Sequence, residues 1–229
     1  MEKHIKGIFL NRPNRFIAEV EINGEIEEVH VPNTGRCKEL LIHGVTVYLI
    51  PSNNPKRKTK FTLHYVLNRG ELVSIYSQEA NKIVFDAISD GKIKELSEYN
   101  YLKREKQVDN SRIDIYLSND EEECFVEVKG VTLVNGDVAM FPDAPTERGS
   151  KHLNELIKLK KEGKRAIVFF LVQHPIAKSF KPNWENDPVF SKTLNDAYDT
   201  GVEILVYKCK NSLEKIELIP KSLDFDLGE

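Results

Sequence analysis

The sequence predicts a mixed α/β protein with two parts, a β-rich segment over residues 1–80 and an α/β segment over residues 81–229. Before Tyr76, short runs of alternating apolar and polar residues follow one another, which is typical of strands. After Asn81, runs with helical periodicity alternate with strand-like runs, as in a sheet covered by helices. A continuous apolar run from Ala166 to Val172 indicates a strand buried on both faces.

Composition narrows the class of protein. The net charge of −3 argues against coating nucleic acid by bulk charge, although a local basic patch stays open. Cys37, Cys124 and Cys209 are far apart and odd in number, which fits a reduced protein better than a disulfide frame or a zinc site. The polar N-terminus does not resemble a signal peptide, and no run reaches the roughly 18–20 apolar residues of a membrane span. We therefore expect a cytoplasmic protein without a membrane partner.

The first segment is predicted to contain five short strands. Asn23-Gly24 lies between two of them and is a strong hairpin signal, because both positions tolerate positive φ. Five strands in so short a segment favour a small barrel, and the five-stranded OB-fold is the natural candidate, a fold whose loops and sheet face often bind single strands. The strands are expected over residues 16–22, 26–31, 45–49, 61–65 and 72–76.

Two loops of this barrel carry candidate nucleic-acid contacts. Lys56, Arg57 and Lys58 form a tight cationic run, and Arg36 lies on a loop with a glycine. Solvated loops without a ligand carry similar charge, so the alternative of an ordinary surface loop stays open.

The second segment reads as three helices around a sheet. Asn81, Thr146 and Asp187 are the expected N-caps, and Gly201 ends the last helix. The polar tail is expected to add an edge strand. Helices are predicted over residues 81–90, 147–162 and 188–199, and strands over residues 101–108, 111–117, 124–129, 166–172 and 203–207.

The two strands over residues 111–117 and 124–129 should form a hairpin that carries the chemistry. If Ser118 pairs with Glu123, Asp114 lies directly opposite Glu127, and Lys129 lies on the same face. The opposite face is aliphatic and should belong to a core.

Opposed carboxylates are destabilising unless something compensates them. A divalent cation such as Mg²⁺ or Mn²⁺ would do so and would leave coordination sites for water and phosphate. Lys129 would then orient the attacking water or neutralise developing negative charge. The alternative is a solvated strand face with an ordinary Lys–Glu pair.

The helix over residues 147–162 offers a second set of candidates. Arg148, Lys151 and His152 share one face by three- and four-residue spacing, near a helix N-terminus that favours phosphate. Cations there oppose the helix dipole, so a bound anion or nearby carboxylates are expected. Ordinary surface charge is the alternative.

Several motifs together resemble the sugar fermentation stimulation protein A family over nearly the whole chain. The order of a helix, a strand with Asp and a strand with Glu-x-Lys resembles the PD-(D/E)XK nuclease superfamily. The motifs are Pro32-Asn33-Thr34-Gly35-Arg36, Asn53-Asn54-Pro55-Lys56-Arg57-Lys58, Ser111-Arg112-Ile113-Asp114, Val126-Glu127-Val128-Lys129 with Val131-Thr132-Leu133, Phe141-Pro142-Asp143-Ala144, Thr146-Glu147-Arg148-Gly149-Ser150-Lys151-His152-Leu153 and Gly201-Val202-Glu203.

The resemblance implies an N-terminal OB-fold-like barrel and a C-terminal restriction-endonuclease-like α/β domain. It implies that Asp114 and Glu127 bind the metal, that the Val128 carbonyl assists and that Lys129 is the catalytic lysine. An acidic residue on the first helix often helps, and Asp86 is the matching position, where the pattern favours Glu.

Two functions from different classes follow. The first is a DNA-binding protein with a nuclease site dependent on Mg²⁺ or Mn²⁺, DNA being favoured over RNA, with Arg112 beside Asp114 among the nucleic-acid contacts. The second is a non-catalytic, regulatory nucleic-acid-binding protein that affects sugar (maltose) metabolism. A sugar-pathway enzyme is a weaker third hypothesis, because no motif resembles a sugar site.

Overall fold

The computed structural model describes residues 4–33, 35–54, 56–108 and 111–228. Within these ranges, no helix combines the length and the apolar character needed to cross a membrane. Thr34 and Pro55, which belong to two of the motifs above, lie outside the described residues.

The N-terminal part is a closed barrel of five strands with a short sixth strand at its edge. The strand order is β3-β2-β1-β4-β5-β6, and pairing of β3 with β5 at His30 and Thr62 closes the barrel. Val20, Leu49 and Leu63 are fully buried in its interior. The strands are β1 (Ile5–Asn14), β2 (Ile17–Ile22), β3 (Glu25–His30), β4 (Thr46–Pro51), β5 (Phe61–Asn68) and β6 (Glu71–Ser74).

The sequence-based prediction missed β1, although β1 lies at the centre of this sheet. Gly7 and Pro13 both lower the strand propensity of this segment. Gly7 is required by packing, because a Cβ atom there would lie 2.4 Å from Val20 Cγ1. Register shifts between Phe9 and Asn14 further disturb the alternation that normally reveals a strand.

The C-terminal part is a six-stranded mixed sheet with helices on both faces, as predicted. Its order is β7-β8-β9-β12-β14-β15, with β9, β12 and β14 parallel. The elements are α1 (Glu79–Ser89), β7 (Tyr101–Val108), β8 (Ser111–Ser118), β9 (Glu123–Val131), β10 (Val134–Asn135), β11 (Val138–Phe141), α2 (Glu147–Lys161), β12 (Arg165–Val172), β13 (Ser179–Pro182), α3 (Pro188–Thr200), β14 (Glu203–Asn211), β15 (Ile216–Ser222) and β16 (Asp224–Phe225), with a short 3₁₀ helix over Lys94–Leu96.

Helix α1 packs on one face of this sheet, and α2 and α3 pack on the other. The predicted central strand is β12, whose residues from Ala166 to Val172 are all buried. A small second sheet, in the order β10-β11-β13-β16, was not predicted because strands of two to four residues are too short to show a period.

Helix starts were predicted correctly for α2 and α3. Thr146 accepts a hydrogen bond from Gly149 N, and Asp187 accepts one from Phe190 N. The prediction was wrong for α1, which begins at Glu79 after Gln78, so that Asn81 lies within the first turn instead of capping it. The amide of Asn81 is thereby free to contact a different partner.

The two parts are joined by polar contacts across their junction. Ser77 Oγ donates to Pro32 O at 2.8 Å, and Asn211 Nδ2 donates to Leu72 O at 2.7 Å. His64 of β5 hydrogen-bonds Glu79 of α1 at 3.0 Å. The barrel is thus fixed against the helix that borders the candidate site.

Candidate active site

The hairpin of β8 and β9 has the predicted register. Ser118 pairs with Glu123 and Ile115 pairs with Val126, and the paired ladder ends there. Beyond it, the Asp114 carboxylate accepts a hydrogen bond from Val128 N, the residue after Glu127. Ile115 and Val126 belong to the core under α1, as expected, whereas Ile113 packs in the core under α2 and α3, so the predicted alternation breaks at Asp114. Glu127 faces α2, and its side chain is only 2% exposed. This burial excludes the alternative of a solvated strand face.

Glu127 is the centre of a compact charged cluster. Its Oε1 accepts a hydrogen bond from Lys129 Nζ at 2.7 Å and also bonds His152 Nδ1. Its other oxygen, Oε2, is buried without a hydrogen-bond partner. An unpartnered buried carboxylate oxygen is expensive, so this atom marks a place where a cation or a donor fits.

His152 connects this buried cluster to the surface. Arg148 Nε lies 3.3 Å from His152 Nε2 and can only donate, so the hydrogen-bond network assigns the acceptor role to Nε2 and the ring proton to Nδ1. The Nδ1 proton then points at Glu127. Spacing of four residues on α2 puts Arg148 and His152 on one face, as the sequence predicted.

Asp114 is held by two donors from different elements. Its Oδ1 accepts a hydrogen bond from Asn81 Nδ2 at 2.6 Å, and its Oδ2 accepts one from Val128 N at 2.9 Å. Val128 therefore contributes its backbone to the site, while its side chain packs in the core. These two contacts fix the carboxylate in one orientation beside Glu127.

The pKa values of the two carboxyl groups are shifted in opposite directions. Burial raises the pKa of Asp114, and the neighbouring Glu127 carboxylate raises it further. Burial also raises the pKa of Glu127, but the hydrogen bond from His152 and the positive charge of Lys129 bring it below its ordinary value. Environments that separate two carboxyl pKa values in this way are a common property of active sites.

A pocket of about 850 Å³ opens above the cluster, with Asp114 in its lining. Its wall is strongly cationic, although Glu105 partly compensates Arg112 through an ion pair at 3.4 Å. Such a wall suits a polyanion. The basic residues that line it are Arg104, Arg112, Arg148, Lys151 and His152.

Comparison with known proteins identifies the family. The model described as the sugar fermentation stimulation protein RE domain matches residues 78–215, and the model of the SfsA N-terminal OB domain matches residues 10–75. The chain belongs to the sugar fermentation stimulation protein family. A sugar fermentation stimulation protein homolog of Methanobrevibacter smithii is 68% identical, over 98% of both chains. A homolog from Clostridium tetani is 51% identical, over 91% of this chain and 92% of the relative.

A solved structure of the same family has the same fold. It is described as Pyrococcus furiosus SfsA in complex with Ca²⁺ and is 34% identical to this chain. The TM-score is 0.90, and the match covers 99% of this chain and 98% of that one. The barrel followed by an α/β domain is therefore the architecture of this sugar fermentation stimulation family protein.

The structure does not bring Asp86 to the site. Its carboxylate is about half exposed and pairs with Lys82 at 2.6 Å on the outer side of α1. Asn81, one and a half turns earlier, is the residue of α1 that reaches Asp114. Asp86 points outward because α1 buries Val84 and Ala87 against the sheet, and this fixes which side of the helix faces the solvent.

The remaining predicted residues lie on the barrel or at the rim of the pocket. Lys151 lies 4.0 Å from Glu155, one turn along α2. Lys56, Arg57 and Lys58 lie on the loop between β4 and β5, away from the cationic pocket. Arg36 lines a different groove, next to β1.

Sequence reasoning missed the contributions of Arg104 and Asn81 to the pocket. Arg104 of β7 was not considered, and its guanidinium also lies over the Phe85 ring, 6.0 Å from the centroid. Asn81 was assigned to a helix cap. A hairpin register alone could not reveal either residue, because both come from neighbouring elements.

A divalent cation fits the residues present. Glu127 offers the free oxygen Oε2, and each Asp114 oxygen keeps a lone pair beyond its single hydrogen bond. In the described part of the chain, no group of three or more His, Cys, Asp or Glu side chains converges as a metal site. A site with two carboxylates is nevertheless usual for Mg²⁺, which keeps waters and substrate phosphates as its other ligands.

Proposed function

We propose that this protein is a DNA-binding nuclease that hydrolyses phosphodiester bonds with the help of Mg²⁺ or Mn²⁺. The observation that carries this proposal is the unpartnered, buried Glu127 Oε2 next to Asp114, beneath a cationic pocket of about 850 Å³. The Ca²⁺ complex of the Pyrococcus furiosus relative supports a divalent cation in this family.

Asp114, Glu127 and the Val128 carbonyl would hold the cation. When bound, it lowers the pKa of a coordinated water and stabilises negative charge on a phosphoryl oxygen. Lys129 Nζ is fixed by Glu127, so it is preorganised to orient the attacking water. Arg148 and His152 line the pocket above it, and the Arg148 guanidinium would contact the phosphate.

The test is cleavage of labelled single- and double-stranded DNA and RNA in the presence of Mg²⁺, Mn²⁺ or EDTA. Lys129→Ala should reduce cleavage by roughly 10²–10³-fold, the usual loss of a charge-stabilising group, while binding persists. Lys82→Ala removes an equal charge on the outer side of α1 and serves as the matched control with unchanged cleavage.

Binding without cleavage in every metal would contradict the nuclease proposal. The regulatory nucleic-acid-binding function would then be the better description. Equal cleavage by the wild type and the Lys129 variant would exclude Lys129 from the chemistry.

A further inference from the structure

We infer that the barrel binds single-stranded nucleic acid in a groove between β1 and residues 35–43, here named the basic groove, and not across the β2–β3 face that OB-folds commonly use. This inference rests on the proposed function for its substrate class. The strand continues from this groove into the cavity at the junction of the two domains.

The basic groove has a volume of about 530 Å³ and concentrates unpaired cations. Within the described chain, Arg15, Arg36 and Lys38 make no ion pair with a carboxylate. His43 bonds Leu10 O through Nδ1, which leaves Nε2 for a ligand. Cations without carboxylate partners are the groups that release counterions when they neutralise phosphates.

Arg12 builds this groove by joining its two walls. Its guanidinium donates to the carbonyl oxygens of Gly35 and Arg36, both at 2.8 Å, and to those of Arg15 at 2.7 Å and Asn33 at 2.6 Å. All four acceptors are neutral, so the positive charge of Arg12 adds to the field of the groove. The groove is thus a fixed feature of the barrel.

The β2–β3 face has the opposite charge and would repel a polyanion. Its outward side carries three glutamates, and Glu19 lies directly opposite Glu28 in the register. Like charges held together on a surface exclude a phosphate backbone from it. The glutamates are Glu19, Glu21 and Glu28.

A cavity of about 350 Å³ at the domain junction adjoins the basic groove. It shares Arg15 and Gly35 with the groove, and Gly130 of β9 is also in its lining. Its volume is at the small end of ligand pockets, so a nucleotide fits in it and a duplex does not.

The lining of this junction cavity suits a nucleotide. Ser77 and Thr132 supply hydroxyl groups, and Met140 and Phe141 supply apolar surface for a base. Asp143 is the one carboxylate among its lining residues, and it accepts a hydrogen bond from a backbone N–H of the barrel, that of Cys37, at 3.2 Å.

The test is fluorescence anisotropy of the full-length protein with labelled single- and double-stranded oligonucleotides, in Ca²⁺ and in EDTA, across a salt series. Arg15→Ala/Lys38→Ala should weaken single-strand binding roughly tenfold and reduce the salt slope by about 1.4, the value for two lost phosphate contacts. Lys56→Ala/Lys58→Ala changes the net charge equally and is the matched control, with a smaller loss. Both pairs are exposed side chains, so circular dichroism should show unchanged folding.

The outcomes separate this inference from the nuclease proposal. Wild-type affinity in the groove variant together with a large loss in the loop variant would overturn the basic groove. Tighter binding of duplex than of single strand would overturn the single-strand path. Groove-dependent binding without cleavage in any metal would support the basic groove and contradict only the nuclease.

Discussion

A side-chain amide helps to fix the orientation of the Asp114 carboxylate. Asn81 Nδ2 donates to Asp114 Oδ1 at 2.6 Å, and among the described residues the other donor to this carboxylate is Val128 N. Partners that orient a metal ligand typically contribute 10–100-fold to affinity. We therefore expect Asn81→Ala to weaken Mn²⁺ binding about 10–100-fold, measured by isothermal titration calorimetry.

Asp86→Asn is the matched control for this prediction. It lies on the same helix, is exposed and bonds Lys82 instead of Asp114. Its Mn²⁺ affinity should equal that of the wild type. A loss in the Asp86 variant with none in the Asn81 variant would restore the role that the family resemblance implied for Asp86.

His174 should make stability depend on pH. Burial lowers the pKa of His174 to about 4, and the positive charge of Arg69 contributes. The unfolded chain takes up the proton near pH 6.5, whereas the folded chain resists it until about pH 4. The contribution of neutral His174 to the free energy of unfolding is therefore complete above pH 6.5. It decreases by about 3 kcal/mol as the pH falls toward 4.

Urea unfolding between pH 7 and pH 4 measures this effect. His174→Gln should flatten the pH dependence of the free energy of unfolding over this window, whereas His43→Gln, which alters an exposed histidine, should not. The same slope in the wild type and the His174 variant would show that another group is responsible.

At the scale of elements, one carboxylate anchors the starts of two helices. Asp187 caps α3 through Phe190 N at 2.9 Å, and its other oxygen accepts a hydrogen bond from Thr146 N, the N-cap residue of α2, at 2.7 Å. Asp187→Ala removes the cap and leaves a second donor unpaired. We expect a loss of about 2–4 kcal/mol in unfolding free energy.

Thr146→Ala is the comparison, because it removes only the cap on Gly149 N. Its expected loss is about 1 kcal/mol in the same denaturant titration. Equal losses in the two variants would mean that Asp187 does not connect α2 to α3. Since α2 carries Arg148 and His152, a loosened α2 should also reduce cleavage by the Asp187 variant.

At the scale of the whole molecule, the junction contacts predict that both parts unfold together. Gly7→Ala would place a Cβ atom 2.4 Å from Val20 Cγ1 and 3.1 Å from Glu21 O inside the barrel. Overpacking of this kind typically costs about 1–3 kcal/mol. Trp184 is the single tryptophan of the chain and lies in the α/β part, so its fluorescence reports the distant part alone.

The Trp184 transition should therefore shift to lower denaturant in Gly7→Ala, together with the circular dichroism transition. Lys6→Ala, on the exposed side of the same strand, should shift neither by more than about 0.5 kcal/mol. An unchanged Trp184 transition beside a new, earlier circular dichroism phase would show that the barrel unfolds independently.

The sequence by itself determined the elements that have strong local signals. The register of β8 and β9 followed from the length of a polar turn, and the buried strand β12 from an uninterrupted apolar run. Thr146 and Asp187 were recognised as caps because capping is decided within four residues. Local periodicity and turn chemistry are enough for such features.

The tertiary structure decided which side chains meet. Burial of Glu127 under α2 and its contact with His152 depend on how a helix packs on a sheet, and no local pattern encodes that. Asn81, and not Asp86, contacts Asp114 because the buried face of α1 fixes the rotation of this helix about its axis. Likewise β1 has a weak local signal and is held in place by its two neighbours, because strand pairing and packing between distant segments override propensity.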